Sequence, residues 1–161
     1  NLGVMMSRIK YLGWSAVLLA LVASAIALNN FGEKSPLIAS GSVHIEASLE
    51  EQAVGLRTLY ITVFDQNSPM PMPFGAMKEK LRSDFRPDEA FEFLITRERL
   101  QIMNPNAALP VNLRIKARLD IDGFGGMDQP GDITGETSGV ALGSERVKIT
   151  LNKKLSPNKG L

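Results

Sequence analysis

The chain has 161 residues, carries 18 Lys+Arg against 17 Asp+Glu, and contains no cysteine. That length suits one compact core plus an anchor, and the near-balanced charge supplies no strong field for holding a nucleic-acid backbone, so nucleic acid is not an expected partner. Without cysteine there is no disulfide, no thiolate nucleophile and no attachment point for a covalent c-type haem; no cofactor is expected.

The first element is the run YLGWSAVLLALVASAIAL at residues 11–28, eighteen residues without a charge. At 1.5 Å rise per residue it is close to the shortest helix that crosses a hydrocarbon core of roughly 30 Å. Tyr11 and Trp14 stand at its start, where amphipathic rings prefer the headgroup level, and Arg8 and Lys10 lie just outside, which places residues 1–10 in the cytoplasm. The rival reading is a cleaved signal peptide, since Ala23-Ser24-Ala25 and Ala25-Ile26-Ala27 both offer small residues in the A-x-A pattern. The anchor is the reading carried forward. Ala16, Ala20, Ala23, Ser24 and Ala27 recur at spacings of three and four, a face that could pack closely on another membrane helix.

Residues 29–40 contain Asn29, Asn30, Gly32, Ser35, Pro36 and Ser40 with no sustained period, and read as a tether. A β domain is expected over residues 41–155, with residues 156–161 as a tail. Val43, Ile45, Ala47 and Leu49 alternate with polar positions, the period of a half-buried strand. Residues 59–64 are apolar or β-branched on both faces and predict a central strand. The three prolines of DQNSPMPMP (residues 65–73) exclude a central strand and predict a loop or sheet edge.

A strand is expected to resume over residues 74–81, and another over 90–96 with Phe91, Phe93 and Ile95 on one face. Residues 97–103 fit one helical turn, followed by a turn at Asn104-Pro105-Asn106. The clearest alternation runs through residues 111–120: Val111, Leu113, Ile115, Ala117 and Leu119 inward, with Asn112, Arg114, Lys116, Arg118 and Asp120 on a wet face. Val147, Ile149 and Leu151 repeat the pattern, and a glycine-rich connection is expected from residue 123 to 143. About seven short strands with no useful amphipathic helix predict an all-β fold, an immunoglobulin-like antiparallel β-sandwich behind one N-terminal transmembrane helix.

No catalytic constellation is present. The single histidine, His44, lies on the polar side of the first strand without a G-x-S-x-G elbow, and reads as an exposed strand residue. Asp120, Asp122, Asp128 and Asp132 fall in DIDGFGGMDQPGD, where oxygen-rich loops can hold calcium, but EF-hand spacing is not met and turn residues are the expectation. Pro69, Met70, Pro71, Met72, Pro73 and Phe74 form an apolar, proline-stiffened stretch suited to protein contact. With Met77 its thioethers could in principle meet a soft metal, but no metal site is expected.

Four segments carry a resemblance by their order and spacing: Leu59-Tyr60-Ile61-Thr62-Val63-Phe64, Pro71-Met72-Pro73-Phe74-Gly75-Ala76, LRIKARL at residues 113–119, and Pro130-Gly131-Asp132-Ile133-Thr134-Gly135-Glu136. Together they resemble the periplasmic C-terminal domain of the cytochrome c-type biogenesis proteins that chaperone apocytochrome c. That family has a strand, a Pro-Met-Pro segment, a strand ending in an Ala-Arg pair, here Ala117-Arg118, and then a Pro-Gly-Asp turn. The resemblance covers most of residues 41–151. It implies a periplasmic β domain that binds protein partners in cytochrome c maturation or in a cytochrome-containing assembly.

These residues depart from the family in holding one apolar span rather than two and no 34-residue helical repeat. TRERLQIM, residues 96–103, also replaces an aspartate- and methionine-rich stretch. The resulting expectation is a non-catalytic, single-pass accessory or assembly subunit of a respiratory or photosynthetic complex in the bacterial inner membrane. Its expected partners are the membrane and the protein subunits of that larger complex. Alternatives are a maturation factor that binds apocytochrome c and a periplasmic copper or calcium protein.

Overall fold

The computed structural model describes residues 35–69 and 72–157. Its strands are β1 (Leu37–Ile45), β2 (Thr58–Asp65), β3 (Pro73–Lys80), β4 (Phe91–Thr96), β5 (Gln101–Ile102), β6 (Asn112–Asp120), β7 (Ile133–Ala141), β8 (Ser144–Leu151) and β9 (Lys153–Lys154). A three-stranded sheet in the order β4-β1-β8 packs on a six-stranded sheet in the order β5-β3-β2-β6-β7-β9. The fold is therefore all-β and built from two sheets. Its compact unit begins at residue 35.

The alternating apolar positions form the layer between the sheets. Leu59, Ile61 and Val63 of β2 lie beside Leu119, Ala117 and Ile115 of β6 in the antiparallel register, and all six are buried. Val43, Phe93, Ile95, Ile149 and Leu151 join the same core from the smaller sheet. Each fully buried Leu, Ile or Val contributes roughly 1.5–3 kcal/mol by removal from water, which is why the period-two pattern fixes which face turns inward.

Several expectations are corrected. β1 starts at Leu37, inside the segment read as a tether. Ile38 and Ala39 are both fully buried because the register shifts between Leu37 and Ala39, so the local pattern is not period two. The first strand ends at Ile45; Ala47–Leu49 is a 3-10 turn and Glu50–Ala53 a short helix, α1, which buries Ala53. Residues 97–103 hold a 3-10 turn at Arg97–Arg99 and then β5, which pairs with β3. Val111, expected inward, lies outside β6 and is exposed.

The connection expected from residue 123 to 143 contains a full strand, β7, paired antiparallel with β6. Nor is the sandwich antiparallel throughout, because β1 and β8 run parallel. β8 passes so close to its neighbours that glycine is required at two points. A Cβ on Gly41 would lie 1.8 Å from the Val147 carbonyl oxygen, and one on Gly135 would lie 1.9 Å from that of Thr150.

Among the described residues no helix is long and apolar enough to cross a membrane. The expected membrane helix at residues 11–28 lies outside the described residues, with its interface residues Tyr11 and Trp14 and its packing face Ala16, Ala20, Ala23, Ser24 and Ala27.

Candidate functional site on the larger sheet

The outward row of β2 places an aromatic ring opposite a cation twice. Tyr60 pairs with Arg118 and Phe64 with Arg114 in the β2–β6 register, while Lys78 faces Tyr60 from β3. The guanidinium of Arg114 stands 4.0 Å from the Phe64 ring centre, and that of Arg118 stands 5.0 Å from the Tyr60 ring centre. Lys78 Nζ is 5.6 Å from the same Tyr60 ring. Such contacts favour long cationic side chains lying flat on the sheet rather than reaching into water.

Over this row folds the segment between β6 and β7, residues 121–132. The Gly123 carbonyl accepts from the Tyr60 hydroxyl at 3.2 Å and from Lys78 Nζ at 2.6 Å, and the Gly126 carbonyl accepts from Arg118 Nη1 at 3.0 Å. Its aspartates hold the turns. Asp120 Oδ1 accepts from the Gly123 N–H, Asp122 Oδ1 from that of Phe124, and Asp132 from those of Ile121 and Gln129. Asp122 Oδ2 also accepts from the Gln129 side chain. The DIDGFGGMDQPGD carboxylates thus act as turn and ion-pair partners. Among the described residues no group of three or more His, Cys, Asp or Glu is arranged to hold a metal ion.

Beneath the loop lies a buried ion cluster. The Arg118 side chain is only 7% exposed; its Nη2 lies 3.0 Å from Asp120 Oδ2, its Nε 3.6 Å from Asp132 Oδ2 and its Nη1 3.4 Å from Asp128 Oδ1. Lys116 also binds Asp128. Among the described residues Arg118 Nε and Asp120 Oδ2 have no hydrogen-bond partner, so the contacts of Nε with Asp132 and of Oδ2 with Arg118 Nη2 are Coulombic rather than directional. Burial holds the Asp120 carboxyl above its ordinary value against the Gly123 N–H and the Arg118 charge, and the nearby carboxyl of Asp122 pushes the same way.

Asp122 is held below its ordinary value, chiefly by the Phe124 N–H. For Asp128, burial opposes ionisation, but the hydrogen bond and charge of Lys116 and the charge of Arg118 outweigh it, and its carboxyl too sits below the ordinary value.

Between the loop and the β3–β5 edge runs a groove of about 340 Å³, floored by Tyr60 and Phe64 and walled by Pro73 and Met103 on one side and Gly125 and Asp128 on the other. The two β6 cations that line it are neutralised within the molecule, Lys116 by Asp128 and Arg118 by its aspartates, and Arg114, further along the same strand, pairs with Glu136 at 2.9 Å. Apolar side chains stand exposed in the segments that frame it: Met72 60%, Met103 57%, Phe124 74% and Met127 90%. The arrangement suits an uncharged apolar group better than an ion.

The residues expected to contact a partner divide. Met72 and Pro69 are exposed, Pro73 is half-buried and lines the groove, and Met70 and Pro71 lie outside the described residues. Phe74 is corrected from a contact residue to a core residue, because it is buried beneath the sheet. Local sequence pattern does not mark Met103, Phe124, Met127, Tyr60 or Arg118 as site residues. An apolar residue stranded in a glycine-rich loop, as Phe124 and Met127 are, was the available signal for two of them.

On the smaller sheet, Ser42 Oγ lies 2.9 Å from His44 Nε2, but among the described residues no carboxylate binds the imidazole, so no triad is formed. Site and fold together define an all-β, two-sheet domain whose larger sheet is partly roofed by a loop. Against family models, curated proteins and solved structures, nothing matches this chain.

Proposed function

We propose that this chain is a non-catalytic accessory or assembly subunit, anchored in the bacterial inner membrane by residues 11–28, whose periplasmic domain works by protein contact through the groove of the larger sheet. The observation that carries the reading is a groove whose lining cations are already satisfied, with exposed Met103 on its wall and exposed Met72, Phe124 and Met127 in the segments that adjoin its other lining residues. Adaptable thioethers and an exposed ring of this kind suit the apolar centre of a protein interface.

The immunoglobulin-like description of the sandwich and the membrane helix ahead of it belong to this reading. So does the resemblance to cytochrome c biogenesis domains, which makes a cytochrome-bearing complex the partner to seek. A second reading, binding of an apocytochrome c segment, is supported by the same groove, whose volume lies at the small end of ligand pockets and accommodates one large side chain of a peptide.

The test is copurification of the full chain from native membranes in mild detergent. Met72→Glu and Met103→Glu place a charge on exposed positions and should leave the fold intact while lowering recovery of the partner about tenfold, a loss near 1.4 kcal/mol. Undiminished recovery with both variants refutes the groove as the contact. Binding of an apocytochrome c peptide to the wild type but not to the variants selects the second reading.

A further inference from the structure

Among the described residues β4 has a strand neighbour on one side only, where β1 pairs with it antiparallel. Leu94 turns its carbonyl to the other, open side, and Arg99 Nη1 donates to it at 3.0 Å. Arg99 is in turn held by Glu79 at 2.7 Å. Successive residues of a strand direct their backbone groups to alternate sides, so Glu92 and Thr96 face the open side with Leu94. Natural sheets blunt such edges with proline, lysine, a bulge or extreme shortness. Phe91–Thr96, FEFLIT, is six residues long and has neither proline nor lysine, and the irregularity in its pairing with β1 falls between Leu37 and Ala39, on the β1 strand. Among the described residues its guards are its own charge, Glu92, and the Arg99 side chain on the Leu94 carbonyl.

We infer that β4 pairs with β4 of a second copy of this chain, antiparallel about a two-fold axis at Leu94, so that the two smaller sheets become one continuous sheet. The strand's own chemistry selects that occupant. In this register Leu94 meets its counterpart, Glu92 meets Thr96 and Phe93 meets Ile95. All three residues that face the open side find backbone partners, and the one charged side chain of the strand falls opposite a neutral hydroxyl instead of another carboxylate. An axis at Phe93 would leave Thr96 without a strand partner.

Leu94, 45% exposed, is covered by its symmetry mate. The contact is isologous, with the same patch used on both copies. Arg99 must release the Leu94 carbonyl, and its side chain, 44% exposed, does so while keeping Glu79. The edge belongs to the smaller sheet and no residue of β4 lines the groove, so dimerisation and partner contact are separable.

The chain has no cysteine, so single introduced cysteines report neighbours without background. Opposed residues of a hydrogen-bonded antiparallel pair sit about 5.5 Å apart at Cα, within the span of about 4.4–6.8 Å that a disulfide bridges. The full chain carrying Leu94→Cys, oxidised in native membranes, should give a covalent dimer at least tenfold more readily than Glu92→Cys or Thr96→Cys alone, while a mixture of the latter two chains should also crosslink.

Arg99→Ala, which removes the guard, should raise the Leu94→Cys yield. Association through a membrane anchor alone would crosslink all positions alike, including the exposed control Val111→Cys. That uniform pattern, a monomer at Leu94→Cys, or capture of a different protein there each overturns the inference.

Discussion

The two sheets use their outer faces in opposite ways. On the three-stranded sheet Ser42, His44, Glu92, Leu94, Lys148 and Thr150 stand in alternation, none of them buried, and the Ser42–His44 hydrogen bond is a local one. On the six-stranded sheet the equivalent rows are crossed by residues 121–132. The last outward residues of β6, Arg118 and Asp120, become as buried as the core. A polar row at period two stays wet only where no segment returns over it. Where one does, the same row must form its own ion pairs or lose stability to desolvation.

Arg118 gives that contrast its sharpest test. Arg118→Met removes the cation shared by Asp120, Asp128 and Asp132 and leaves two buried carboxylates without a counter-charge. We expect a loss of about 3–5 kcal/mol, read from urea denaturation followed by far-UV circular dichroism. A loss under about 1 kcal/mol, the level typical of exposed pairs, would mean that the roofed face is effectively wet.

A pH series refines the comparison. Asp120 is held above its ordinary value, so its contribution is present in full below that value and is lost as pH rises through the raised one. Asp128 is held down, so its contribution is present above the ordinary value and is lost as pH falls through the lowered one. Asp120→Asn should therefore flatten the decline in denaturation midpoint on the alkaline side of the ordinary carboxylate range and leave the acid-side decline in place. Midpoints taken from about pH 4 to about pH 8 cover the alkaline-side decline. An unchanged alkaline-side slope would remove Asp120 as its source.

The smallest effects come from one exposed residue on each face. Phe124→Ser and Ser42→Ala should each change stability by no more than about 0.5 kcal/mol. Only Phe124→Ser should lower partner recovery in the copurification assay. Equal recovery with the two variants would erase the functional half of the contrast.

The same contrast explains what could be read from the chain. Residues 59–64, 74–81 and 90–96, and the inward row Leu113, Ile115, Ala117 and Leu119, announce their strands to within a residue at each end because burial sets their pattern. β7 stayed hidden. ITGETSGVA carries two glycines and few apolar residues, and its early buried positions Thr134 and Gly135 are set by Lys153 of β9 and by the passage of β8, which lie far away in sequence.

The bulged start of β1 escaped for a related reason: two neighbouring buried residues, Ile38 and Ala39, break the period that identifies a strand. Of the Pro/Met stretch, Pro73 alone among the described residues lines a wall of the groove. The opposite wall depends on how residues 121–132 fold back, held by Tyr60, Lys78 and Arg118, and no local pattern records that.

The parallel ladder between β1 and β8 has a consequence for biosynthesis. The first strand of the domain is completed by the last long one, across a separation on the order of a hundred residues, so closing the smaller sheet carries the entropy of the longest loop closed by strand pairing among the described residues. A nascent chain that emerges N-terminus first must keep one side of β1 vacant until residues 144–151 arrive. Maturation of the domain is therefore timed by delivery of its C-terminal end, and a chain interrupted before that point presents an unfinished sheet to whatever quality control it meets.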